Sequence, residues 1–174
     1  MQASFLLVSI FPILMVAAAI FDLTSFKIPN ILSGALLTLF PVFLLAMALS
    51  GHAMGWSGIL DHVMGGGLGL IAGMILFAFR VVGGGDAKFF AVTCLWLGLH
   101  AMSDYALVTS LTGGALTFGL LALRSVPLPL FLAKLPWVLR LAEPKGAVPY
   151  GVALAAGALI VLPDTELFRM TIAG

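Results

Sequence analysis

The sequence predicts an all-α, polytopic membrane protein of about six transmembrane helices. Of its 174 residues, 62% are hydrophobic and only 9% are charged, more apolar surface than a soluble domain of this length can bury. Apolar runs close to the roughly 20 residues needed to cross a bilayer recur along the chain, separated by polar or Gly/Pro-rich breaks. No second domain or internal repeat is visible, so residues 1–174 are expected to form a single domain within the membrane. The net charge of +1 provides no basic cluster able to neutralise several phosphates, which excludes nucleic acid as an expected partner. The single cysteine, Cys94, lies inside an apolar run, so neither a disulfide framework nor a CxxC metal site is expected.

The runs fall at about 3–21, 31–49, 59–79, 87–102, 105–123 and 147–162. Ala17-Ala18-Ala19 in the first resembles a signal-peptide cleavage site. However, residues 1–4 carry no Lys or Arg and the run exceeds a signal core, so it is expected to span. Pro29 disfavours helix at Ile28 and is pre-set to open the second helix. Gly65, Gly69 and Gly73 recur every four residues in the third run, a spacing that lets another helix approach closely in lipid. Gly83, Gly84 and Gly85 are expected to stop that helix and to permit backbone conformations closed to other residues. Asp86 is then placed to cap the amides of the fourth helix. Between the fifth and sixth runs, Arg124 to Gly146 mixes four basic residues with four prolines. There Leu130 to Leu141 forms either an interfacial helix facing anionic headgroups or a proline-broken connector.

Seven of the eight basic residues lie in the loops after runs one, three and five, and only Arg169 lies opposite. The positive-inside rule therefore places these loops in the cytoplasm and both termini outside.

Ionisable groups at membrane depth are costly and tend to be functional, which directs attention to the seven acids. Glu143, Asp164 and Glu166 fall in the long loop or the tail and Asp104 in a short connector, where solvation accounts for them. Asp61, beside His62 near the outer end of run three, either lines a cavity or reaches the interface. Asp22 ends run one and Asp86 opens run four, both on the cytoplasmic side by the charge count. Taken singly, Asp22 is explained as an interfacial acid paired with Lys27, and Asp86 as a helix cap. If the two meet, repulsion between like charges makes them share a proton near neutral pH. The ionised partner then activates water while the protonated one hydrogen-bonds a carbonyl oxygen, the chemistry of an aspartic peptidase. Two other functions remain open: a small proton-coupled transporter with Asp61, Asp22 and Asp86 as a relay, and a non-catalytic assembly subunit of a pilus or secretion machine.

Asp22 to Asn30 is similar to the first aspartate motif of the type IV prepilin peptidases. Gly83-Gly84-Gly85-Asp86-Ala87-Lys88 matches their G-x-G-D-x-K motif, and Val148 to Ala153 resembles their C-terminal motif. The three motifs in order, over about residues 15–160, resemble the small Tad/Flp-type members of this GxGD group of membrane aspartic peptidases. The resemblance implies cleavage of the leader of prepilin-like proteins at the cytoplasmic face of the bacterial inner membrane. It makes Asp22 and Asp86 the catalytic pair and needs no metal or cofactor. Lys27, Pro29, Asn30, Gly83, Gly85 and Lys88 fall in the two aspartate motifs, Lys88 near enough in sequence to influence the pair's electrostatics. Pro149, Tyr150 and Gly151 begin the sixth helix on the same side, where they shape a substrate groove. Larger relatives carry an insertion with paired CxxC motifs and also methylate the product. With one cysteine, this sequence is not expected to do so.

Overall fold

The computed structural model describes residues 2–126, 129, 134–144 and 146–173, with side chains from Ser9 to Thr171. Among them are eight α-helices: α1 (Gln2–Ser25), α2 (Asn30–Leu49), α3 (Trp56–Ala78), α4 (Gly84–Leu97), α5 (Met102–Arg124), α6 (Pro136–Leu141), α7 (Tyr150–Val161) and α8 (Glu166–Ala173). Each of the six expected runs corresponds to a helix. Three, α2, α3 and α5, are long and apolar enough to cross a membrane, and Ser9–Ser25 and Tyr150–Asp164 are shorter apolar segments.

At the centre lies α4, which packs on α2, α3, α5 and α7, while α1 packs on α2 and α7. Its inner face carries Phe89, Thr93, Cys94, Trp96 and Leu97, all buried. The Trp96 ring is surrounded by Phe11, Phe40 and Phe43, with ring centroids 5.3–5.6 Å apart. Its Nε1–H donates to the Leu36 carbonyl at 2.9 Å, so the one polar atom of this aromatic core is satisfied.

Close packing of α3 on α4 is made possible by the expected glycine stripe. A Cβ at Gly65 would lie 2.8 Å from the Leu99 nitrogen, at Gly69 2.9 Å from the Cys94 Cβ, and at Gly73 2.9 Å from the Ala87 carbonyl oxygen. Helix α3 is peripheral, and most of its large apolar side chains, including Leu68, Ile71, Ile75 and Phe77, face outward.

Four sequence expectations need correction. The triple glycine does not stop α3, which ends at Ala78. Arg80 makes the turn with φ of 58°, and Gly84 and Gly85 already belong to α4. The fourth helix stops at Leu97 rather than near residue 102, because Gly98 turns with φ of 87°. In the long connection, the described part is the short α6, whose Val138 and Leu141 are buried against the protein. Pro127, Leu128, Leu130 to Ala133 and Lys145 lie outside the described residues, and with them the first four residues of the segment Leu130 to Leu141. Finally, the tail holding Glu166 is helical: α8 buries Leu167 and packs on α1. At 8 residues it is too short to cross a bilayer.

Candidate active site

On α1, Asp22 continues a buried stripe. Phe11, Met15 and Ala18 are fully buried and Asp22 keeps 4% of its surface. The intervals of four, three and four residues put them on one helix face, so the carboxylate points into the bundle. There its Oδ2 accepts a hydrogen bond of 2.6 Å from the Gly151 N–H. That amide belongs to the first turn of α7, where N–H groups lack an intrahelical acceptor and favour an anion. The glycine is required by space. A Cβ at position 151 would lie 2.8 Å from the Cβ and Oδ2 of Asp22 and 2.8 Å from the Ile28 Cδ1.

The third residue of α4 is Asp86. Its Oδ2 accepts the Gly83 N–H at 3.1 Å, so it closes the helix start from within α4, where Gly83 and not Asp86 is the cap residue. None of Gly83, Gly84 and Gly85 has a positive φ, so these glycines do not provide unusual backbone conformations. They provide room: a Cβ at Gly83 would stand 2.9 Å from the Asp86 Oδ2, and one at Gly84 3.4 Å from the Phe77 ring. Gly85 faces the Ile28 carbonyl oxygen, 3.6 Å from where its Cβ would be.

Ile28 joins the two halves, since it packs against both Gly85 and Gly151. Through Ile28, the start of α4 that carries Asp86 lies beside the contact between Asp22 and Gly151. Three segments widely separated in sequence thus converge at one end of the bundle. Pro29 caps α2 from an extended conformation and Pro149 caps α7, so each proline fixes a helix start beside this site. Together, Asp86 and Tyr150 line a cavity of about 300 Å³ whose other walls are mainly apolar, among them Leu76, Val82, Phe90 and Leu154.

Two supporting roles differ from expectation. Lys27 is exposed and pairs with neither aspartate; the ion pairs among the described residues are His100–Asp61 and Arg169–Asp164. Asp22 sits on the inner face of α1 while Lys27 lies in the loop beyond the helix end. Lys88 is also exposed and makes no ion pair with either carboxylate among the described residues. With Asn30 it lines a different cavity, between α2, α3 and α4.

At the opposite end of α4, Asp61 accepts the Leu99 N–H at 3.0 Å and contacts His100, while His62 bonds the Leu95 carbonyl at 2.9 Å. These contacts brace the turn that Gly98 begins. With α4 about 20 Å long at 1.5 Å per residue, Asp61 stands too far from Asp86 for a direct relay. Two residues beyond the sequence candidates also shape the site: Ile28, and Arg124, which donates to the carbonyls of Leu141 at 2.9 Å and Ala147 at 3.0 Å. Arg124 thereby anchors the connection just before Val148. In sequence it is only one of several loop cations.

Residues 9–118 match the type IV leader peptidase family, across both aspartate segments and the helices that carry them. The chain belongs to that family. No curated protein and no solved structure gives a match. Membership indicates a peptidase with a leader-peptidase role, and the chain's apolar helices suit a membrane location. The matched region ends before α7, so the contact between Gly151 and Asp22 ties a segment outside the match to one inside it.

Proposed function

We propose that this leader peptidase is a single-domain aspartic endopeptidase that removes the leader of Flp-like prepilins at the cytoplasmic face of the inner membrane. Asp22 and Asp86 are its catalytic pair. What carries the proposal is the bond from the Gly151 N–H to the buried Asp22 carboxylate, with Ile28 packed against both Gly151 and Gly85, the neighbour of Asp86. Two carboxylates brought together on a substrate ionise one at a time. The ionised one takes a proton from water as the water oxygen attacks the scissile carbonyl carbon. The protonated one hydrogen-bonds the carbonyl oxygen, and a proton passes to the departing amine as the C–N bond breaks. The apolar cavity beside Asp86 and Tyr150 receives the start of the precursor's hydrophobic segment. The basic loops that flank the aspartates support a cytoplasmic site. A proton-coupled transporter is not favoured, since Asp61 is engaged with its own turn.

The test compares cleavage of an Flp-like precursor by the purified protein with cleavage by Asp22→Asn and Asp86→Asn, made singly. Each amide keeps the side chain's shape but cannot exchange its proton, and loss of one acid–base partner costs about 10²–10⁴-fold. Full activity in either variant would refute the pair. No cleavage by the wild type would refute the substrate.

A further inference from the structure

We propose that Arg124 is a positioning residue for the cleavage: its guanidinium fixes the start of α7 and so holds the Gly151 amide on the Asp22 carboxylate. The inference rests on the reading of Asp22 as a catalytic residue. Arg124 is the last residue of α5, and its donors reach both ends of the turn between α6 and α7. The Nε–H donates to the Leu141 carbonyl at 2.9 Å and an Nη2–H to the Ala147 carbonyl at 3.0 Å. Leu141 closes α6, and Ala147 stands two residues before Pro149, which caps α7. Gly146 leaves room for this fork, since a Cβ there would lie 3.2 Å from Nη2 and 2.9 Å from the Arg140 carbonyl oxygen.

The path from Ala147 to the Asp22 contact is short and stiff. The Tyr150 N–H donates to the Val148 carbonyl at 2.9 Å, closing a tight turn about Pro149, whose φ of −74° and ψ of 83° are close to those of an inverse γ-turn. The Pro149 ring is fully buried. The next amide is that of Gly151, which donates to Asp22 at 2.6 Å. Because α7 packs on both α1 and α5, a tie from α5 to the chain just before α7 sets how far that amide projects toward α1. A planar guanidinium holds two carbonyls in one fixed geometry, and an ammonium does not. A cation in the last turn of α5 also complements the helix dipole, but lysine would do that equally well.

Precursor cleavage is measured with the full chain in detergent, and backbone amide exchange is followed by mass spectrometry. Arg124→Gln is expected to lower kcat about tenfold, less than the roughly 10²-fold that a misplacement of about 1 Å can cost, with KM within about twofold. Arg124→Lys recovers only part of that loss. On the Gly151→Ala background, Arg124→Gln lowers kcat by less than about twofold more, because the contact through which it acts is already displaced. Peptides covering the start of α7 exchange faster in Arg124→Gln than in the wild type while those of α3 do not change, a readout that stands even if Gly151→Ala fails to fold. Lys134→Gln, at an exposed cation earlier in the same connection, leaves kcat unchanged. The proposal is overturned if folded Arg124→Gln keeps its kcat, if KM rises instead, or if Arg124→Lys matches the wild type. It is also overturned if the losses from Arg124→Gln and Gly151→Ala multiply, or if exchange at the start of α7 is unaltered. Full activity in Asp22→Asn would sink the reading of Asp22 instead, and exchange alone would then decide whether Arg124 holds α7.

Discussion

Replacing Gly151 by alanine isolates the contact on which the site depends. The added Cβ would lie 2.8 Å from the Asp22 Cβ and Oδ2 and 2.8 Å from the Ile28 Cδ1. Carbon atoms pack at about 3.5–4.0 Å, so something must move by roughly an ångström. The backbone of α7 is held by its helix and Ile28 is buried between Gly85 and Gly151, leaving the Asp22 side chain as the mobile partner. Overpacking of this kind costs about 1–3 kcal/mol. The 2.6 Å bond from the Gly151 amide, charge-assisted when Asp22 is ionised, is stretched by the same displacement, and such bonds are worth about 1.5–3 kcal/mol. At about 1.4 kcal/mol per tenfold change, losing most of one such term lowers kcat by roughly 10- to 100-fold. KM changes less, because the precursor's apolar segment binds elsewhere along the cavity. The assay is steady-state cleavage of a precursor, with Tm measured alongside. Gly114→Ala serves as the control, since a Cβ there meets nothing within 4 Å. If Gly151→Ala cleaves within twofold of the wild type while folded, Asp22 is not held in its working position by α7 and the proposed arrangement is wrong.

The pH profile of kcat should be bell-shaped: at low pH the base acquires a proton and cannot activate water, and at high pH the acid loses the proton it must donate. A rate that rises monotonically across the range would contradict a shared-proton pair. In the scaffold, Gly65→Ala should lower Tm, because its Cβ would strike the Leu99 nitrogen and Cys94 carbonyl oxygen at 2.8 and 2.9 Å, backbone atoms that cannot rotate away. A cost of about 1–3 kcal/mol is expected, against no loss for Gly119→Ala, where the space is open. Equal Tm values for the two variants would disprove the α3–α4 seam. Trp96→Phe should destabilise by about 1–3 kcal/mol, leaving the Leu36 carbonyl without its indole donor and the surrounding aromatic rings loosened, as measured by thermal unfolding in detergent.

Much of the architecture is legible in composition and punctuation. The runs near 31–49 and 105–123 agree with α2 and α5 to within a few residues, because a bilayer imposes length and apolarity on any helix that crosses it. Prolines also gave correct starts, with Pro29 and Pro149 standing just before α2 and α7. Ends set by contacts were harder. Helix α4 stops at Leu97 because Gly98 turns there and Asp61 receives the Leu99 amide, a partner 38 positions away. Local pattern carries no such information.

By itself, the sequence determined the solvent and the apolar segments, since both follow from local hydrophobicity and helix-start signals. The tertiary structure alone decided which face of α1 turns inward, because in an almost uniformly apolar helix no amphipathic stripe marks the buried side. It also decided that Gly151 holds Asp22, that the triple glycine makes room rather than a turn, and that Lys88 serves another cavity. Those are distances between segments as many as 129 residues apart, fixed by how the helices pack.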